Sequence, residues 1–256
     1  MNQYLDNLLF NRHSKKSLQS VRFKKHSRCV PLMLPDFRKT VVLATHNYGR
    51  SAALSSALGL VSKGEISFIG LYDFPKLGTY NVYSPDEDGE TLYQNAYIKA
   101  RHYSWLLGKP CLAESHGLVV KALHGEPGPH SKYYGYPHVL GFVDRVDKVL
   151  EEMEGVVDRR CAYCLSICLA HPEKHEVLHW QGHILGEVSD RRIGRGPVYQ
   201  SIFYIRELGK TLAMLTGAEK TLYSFWENCV GPMRADYPLI RRFLGMEDEE
   251  APVPGP

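Results

Sequence analysis

The chain has 256 residues, 44% hydrophobic, 23% charged and 11% aromatic, enough for one large domain or two small lobes and not the composition of a chain disordered throughout. Net charge is +3, but seven Lys/Arg against one acid, Asp6, fall within residues 1–30. The body is therefore net negative and lacks the basic surface of a general nucleic-acid binder.

Residues 1–38 read as a basic, acid-poor extension, either a disordered arm or a targeting segment. It is the part of the chain suited to touch RNA. Thr40–Ala44 is a short β-branched, apolar run and predicts a buried strand. The polar turn THNYGR follows, and Ser51–Leu60 has helical spacing. Gly64–Tyr72 predicts a second strand. After the polar stretch SPDEDGE, Thr91–Leu107 predicts the longest helix, stopped by Gly108-Lys109-Pro110.

Cys111–Ala113 and Leu118–Leu123 predict two strand pieces, separated by ESHG. A Gly/Pro loop, HGEPGPHSKYYG, leads to a helix over Val143–Met153. Arg160–Ala170 and His175–Gly186 predict two strands, and Tyr199–Ile205 a third. Thr211–Leu215 and Ala218–Cys229 predict helices. The pattern is a mixed α/β body over 39–245, followed by an acidic, Pro-rich tail over 246–256. No run of about 18 apolar residues predicts a membrane-spanning helix. Six cysteines in a chain this long do not make a disulfide scaffold. A reducing, intracellular compartment is expected, cytoplasm or mitochondrion.

Three short motifs are weak. His175-Glu176-Val177-Leu178-His179 spells HExxH, but a zinc protease needs it on a helix and this stretch reads as strand. Cys161 and Cys164 spell CxxC inside a strand-like run, where buried thiols are the plainer reading. Ile193–Pro197 is Gly-rich but lacks the Lys-Ser/Thr of a phosphate loop.

A stronger signal is the order of polar residues along the body. Thr45, Asn47 and Arg50 follow the first strand, where helix-opening amides can hold phosphate. Asn95 and Lys99 lie on the long helix, and Lys210 and Lys220 are further cations able to meet phosphate or base. These stretches resemble the Ham1/ITPase family of nucleoside-triphosphate pyrophosphatases. VVLATHNYGR resembles its strand followed by Ser/Thr-x-Asn-x-x-Lys. EDGETLYQNAYIKAR resembles E-T-G-x-T-F-x-E-N-A-x-x-K-A-R, and LAESHGL resembles L-A-D-D-S-G-L. LHGEPGPHSKYYG, GPVYQSIF, GKTLAML and AEKTLYSFW resemble the family's remaining motifs in order.

The resemblance implies an ITPase-like α/β fold, with a long twisted mixed sheet and two lobes around a central cleft. It implies a homodimer or larger assembly, and Mg²⁺-dependent cleavage of a purine nucleoside triphosphate to monophosphate and pyrophosphate. It implies substrate contacts at Thr45, Asn47, Arg50, Asn95, Lys99, Tyr199, Lys210, Lys220, Phe225 and Trp226. The family's Asp-Asp pair is here Glu114-Ser115, which leaves Glu114 as metal ligand, Ser115 in the general base's place and His116 as a substitute base. Acids or acid partners are also replaced at Ala53, Gln94 and Gln200, and the base-reading Ser-His-Arg is Ser224-Phe225-Trp226. Tyr133 stands for an Arg. These departures imply an impaired or inactive member serving as a nucleotide-binding or structural subunit. The alternative is an active, divergent Mg²⁺-dependent pyrophosphatase with altered base specificity.

Overall fold

The computed structural model describes residues 39–73, 84–135, 138 and 141–246. The basic extension over 1–38 and the tail from 247 onward lie outside them.

The first strand, β1 (Thr40–Leu43), is fully buried, as its β-branched sequence requires. It leads to helix α1 (Tyr48–Ser62), capped by the Asn47 side chain accepting the Arg50 N–H. Strand β2 (Ser67–Gly70) is shorter than the apolar pattern predicts, because Leu71–Asp73 turns into a 3₁₀ helix. Helix α2 (Leu92–Leu107) begins at a capping box. Thr91 accepts from Gln94 N–H while the Gln94 side chain accepts from Thr91 N–H. It ends at Gly108 with a left-handed φ of 61°.

Strand β3 (Cys111–Val120) is one continuous ten-residue strand, where the sequence predicted two pieces. The polar ESHG segment interrupts the apolar pattern but not the backbone, which stays paired with the next strand from Cys111 to Val120. Then come α3 (Phe142–Glu152), β4 (Arg160–Ala170) and β5 (Val177–Val188). The region expected as a strand over Tyr199–Ile205 divides into a 3₁₀ turn, Val198–Ser201, and a short β6 (Phe203–Ile205). The helix expected over Thr211–Leu215 is instead β7 (Lys210–Thr211) followed by a 3₁₀ turn. Three helices complete the described residues: α4 (Gly217–Leu222), α5 (Phe225–Ala235) and α6 (Tyr237–Phe243). The Ser224 side chain caps α5 and so splits the predicted long helix in two.

Among the described residues seven strands form one sheet in the order β2-β1-β3-β4-β5-β6-β7. β2, β1 and β3 are parallel to one another, and the remaining pairs are antiparallel. β3, β4 and β5 run between two lobes. At one end, α1, α5 and α6 pack on Leu112, Ile167 and Trp180, while α2 covers Cys111, Ala113 and Cys168 on the other face. At the other end, α3 and the β6 region bury Leu118, Tyr163, Ile184 and Phe203. Fully burying each such side chain stabilises by about 1.5–3 kcal/mol.

Candidate functional site

The site follows from a mismatch in strand length. β1 pairs with only Cys111 and Leu112 of the ten residues of β3. At the far end the loop after β3 takes over that edge: Leu118 N–H donates to Ser131 Oγ (3.2 Å), and Val120 N–H to Glu126 O (3.2 Å). Between them, around Glu114–Gly117, the edge of β3 opens into a cleft of about 830 Å³ between the lobes. The Ala44–Asn47 turn and the start of α1 wall it on one side, the 84–88 loop and α2 on another, and Ser131–Tyr133, Arg145 and Tyr199 on the third.

Glu114 and His116 project from the same face of β3. Glu114 is 2% exposed. Arg50 Nη1 donates to its Oε1 at 3.1 Å, and His116 Nδ1 lies 2.9 Å from its Oε2. Burial opposes ionisation of Glu114, but His116, Lys99 and Arg50 outweigh burial and hold its carboxyl well below the usual range. His116 stacks on Tyr163, with ring centroids 5.9 Å apart. Ser115 is buried, faces the opposite side of the strand and still borders the cleft.

A second ionic group lies opposite. Lys99 reaches Glu87 at 2.8 Å, and Lys132 approaches the same carboxylate at 3.8 Å. Asn95 is 1% exposed and accepts the Gly89 N–H at 2.8 Å, so it fixes the loop that carries Glu87. Gly89 has to be glycine, since a Cβ there would come within 2.7 Å of Asn95 Oδ1. Gln94 serves the α2 capping box, a task Gln and Glu perform alike. Glu87 was missed as a site acid by the sequence reading, although it occupies the first position of the EDGET motif; Asp86 and Asp88 border the cleft beside it.

Thr45, Asn47 and Arg50 line the cleft at the N-terminus of α1, where first-turn amides and the helix dipole favour an anion. His46 Nε2 sits 2.7 Å from the Tyr103 hydroxyl, and burial with the nearby Lys132 lowers its pKa. Tyr199 is 1% exposed and its hydroxyl donates to Ser131 O at 3.1 Å.

The remaining candidates stand apart from these. Lys210 pairs with Glu219 at 2.6 Å, and Lys220 is exposed on α4. Trp226 packs against the core between α1, α5 and the sheet. Phe225 opens α5, and its side chain lies outside the described residues.

The weak motifs resolve structurally. His175 and Glu176 precede β5, and His179 lies on that strand with Nε2 2.7 Å from Ser166 Oγ. HExxH is therefore not helical. Cys161 and Cys164 point to opposite faces of β4, and the five described cysteines are all buried free thiols.

The chain matches the Ham1 family model over residues 41–235. The chain belongs to the Ham1 family. A dITP/XTP pyrophosphatase of Pectobacterium atrosepticum is 35% identical over 188 residues, covering 72% of this chain and 90% of the relative. One from Desulfotalea psychrophila is 34% identical over 169 residues, covering 65% and 75%. Among solved structures, the Staphylococcus aureus Ham1 protein matches with a TM-score of 0.68 at 27% identity, covering 79% of this chain and 100% of that one. A Ham1 protein from Coxiella burnetii matches with a TM-score of 0.68 at 30% identity, covering 78% and 98%. The fold is the α/β fold of those Ham1 structures.

The Mg²⁺ implied by the family can be tested against the donors. Among the described residues no group of three or more His, Cys, Asp or Glu side chains is gathered to hold a metal. Both oxygens of Glu114 are committed, to Arg50 and to His116, and Glu87 is committed to lysine. Mg²⁺ wants near-octahedral oxygen ligands, and these carboxylates do not make that site on their own. No helix among the described residues is long and apolar enough to cross a membrane.

Proposed function

We propose that the cleft binds a nucleoside triphosphate and that the chain has lost most or all of the hydrolysis to monophosphate and pyrophosphate, serving as a nucleotide-binding subunit. One observation carries this reading. At the place of the family's Asp-Asp pair, Glu114 is locked between Arg50 and His116, and its neighbour is Ser115, a hydroxyl that cannot act as a carboxylate base. The phosphate-seeking side of the cleft is intact, with Arg50, Lys99 and Lys132 beside the N-terminus of α1. Binding without efficient water activation is the outcome expected of that combination, since general-base assistance alone is worth about 10²–10⁴ in rate.

Asp86, Glu87 and Asp88 favour a second reading, in which acids of the 84–90 loop sustain turnover. Pyrophosphate release from ITP, XTP and dITP, with and without Mg²⁺, separates the two. A dITP/XTP pyrophosphatase run alongside sets the scale, with Glu87→Gln and Glu114→Gln variants of this chain. Turnover about 10² or more below the control supports a binding subunit. A wild-type rate within about tenfold of the control overturns that reading, and loss of the rate in Glu87→Gln assigns the activity to the loop.

A further inference from the structure

The charges in the cleft are arranged so that its two less exposed acids, Glu114 and Glu87, are each paired with a cation. Glu114 faces a guanidinium on one oxygen and an imidazole on the other. Glu87 faces two ammonium groups, Lys99 and Lys132. A divalent ion entering either site would have to displace a hydrogen-bonded cation and sit beside the one displaced. A phosphate chain meets the opposite situation: the cations Arg50, Lys99 and Lys132 already line the cleft.

Arg50 is the member held by the more deeply buried of the two acids. Its side chain is 34% exposed while its partner Glu114 is 1% exposed, so the fixed carboxylate holds one edge of the guanidinium and the rest faces the cleft. Arg carries five donors in a planar fork, and a fork held by one carboxylate is preorganised to give its other N–H groups to phosphate oxygens.

We propose that Glu114 is a positioning residue and not a metal ligand: it holds Arg50 at the open edge of β3, and Arg50 with Lys99 and Lys132 receives the phosphates of a metal-free nucleotide. This rests on the reading of the cleft as a nucleotide site. The ligand class is a polyphosphate chain carrying its own negative charge, without a divalent ion to bridge it to the protein.

The test is calorimetric titration of the full chain with ITP and, separately, with inorganic triphosphate, each in EDTA and in excess Mg²⁺. The expected result is binding in EDTA, within about threefold of the affinity in Mg²⁺ or tighter. Arg50→Met should weaken binding by about tenfold or more in both conditions. Glu114→Gln should weaken it too, and the double variant should bind no worse than Arg50→Met alone, because Glu114 acts through Arg50. Glu87→Gln should leave binding in EDTA intact or stronger, since it frees two lysines. Thermal melts of each variant confirm the fold, and the Arg50→Met change, at a one-third exposed side chain, keeps the test available if Glu114→Gln does not fold.

Binding that appears only with Mg²⁺, or that Glu87→Gln abolishes, overturns the proposal while the nucleotide-binding reading stands. An additive loss in the double variant also overturns it. Absence of binding in every condition overturns both.

Discussion

Arg50, Lys99 and Tyr199 come from three separate elements and meet at the open edge of β3, while Lys210, Lys220 and Trp226 come from consecutive motifs and do not reach it. The first group is placed by long-range architecture: β1 stops after two paired residues, and the loop behind β3 resumes pairing only at Leu118. The second group is spent locally. Lys210 meets Glu219 nine residues away, Lys220 faces solvent and Trp226 fills core. Motif resemblance weighted both groups equally. The difference is that one side of the molecule gathers its charges in a cleft, while the other leaves its residues in an ion pair, in solvent or against the core.

The largest effect should come from closing the wall that makes the cleft. A Cβ at Gly117 would lie 2.0 Å from Gly128 O and 2.7 Å from Ser131 Oγ, so the loop that resumes pairing on β3 would have to move. Gly117→Ala should cost about 3 kcal/mol, lowering the melting midpoint by about 6–12 °C for a domain of this size. Gly182 offers the matching test on the α5 side, where a Cβ would lie 2.8 Å from backbone atoms of Asn228 and Cys229. Gly182→Ala should destabilise similarly yet spare nucleotide affinity per folded molecule, whereas Gly117→Ala should lower both. Equal loss of affinity in the two variants would break the distinction between the sides.

A pH effect comes next, from the sheet beneath. His179 is half-buried against Tyr93 (centroids 4.4 Å apart) and bonded to Ser166, and desolvation lowers its pKa to about 4. The folded value lies below the unfolded one, near 6.5, so the unfolded chain binds the extra proton. This contribution is therefore fully present above about pH 6.5 and is lost as pH falls from there toward 4. A shift of this size corresponds to about 2–3 kcal/mol over the window. In thermal melts from pH 7.5 to 4.5, wild type should lose stability that His179→Gln does not. Parallel curves for the two proteins would refute the assignment.

Within the cleft, Lys99→Met should reduce triphosphate affinity by about tenfold, the scale of one charge-assisted contact. Lys99 is 14% exposed and held against Glu87, so part of that effect is the carboxylate left unpaired. Titration of the Lys99→Met, Glu87→Gln pair against each single variant separates the two contributions. An unchanged affinity in Lys99→Met would remove Lys99 from the site.

Much of this architecture was legible because its signals are local. The β-branched run at β1, the Thr91/Gln94 box and the Gly108 stop each name an element boundary from a few residues. The failures share a cause as well. The pattern divides β3 at ESHG because Glu114 and His116 put polar groups inside an apolar run; those groups face the cleft, and pairing with β4 maintains the strand through them. The Thr211–Leu215 pattern suited a helix, but Thr211 is committed to β6 pairing and to Ile193 O at 2.7 Å. Glu87 lies inside the EDGET motif, but only its loop geometry, set by Gly89 and Asn95, turns it toward Lys99, and no local pattern encodes that turn.

The smallest effect is the one that tests the comparison most directly. Lys220→Ala removes an exposed side chain and should change stability by no more than about 0.5 kcal/mol. Lys210→Met breaks an ion pair whose members are 38% and 30% exposed, a contact of the class worth about 0–1 kcal/mol. Neither should alter triphosphate affinity measurably. If either weakens it by about fivefold or more, a lysine that rests against Glu219 or in solvent must swing to the ligand. The α4 side would then close over the cleft on binding, and the two groups of residues would form one site after all.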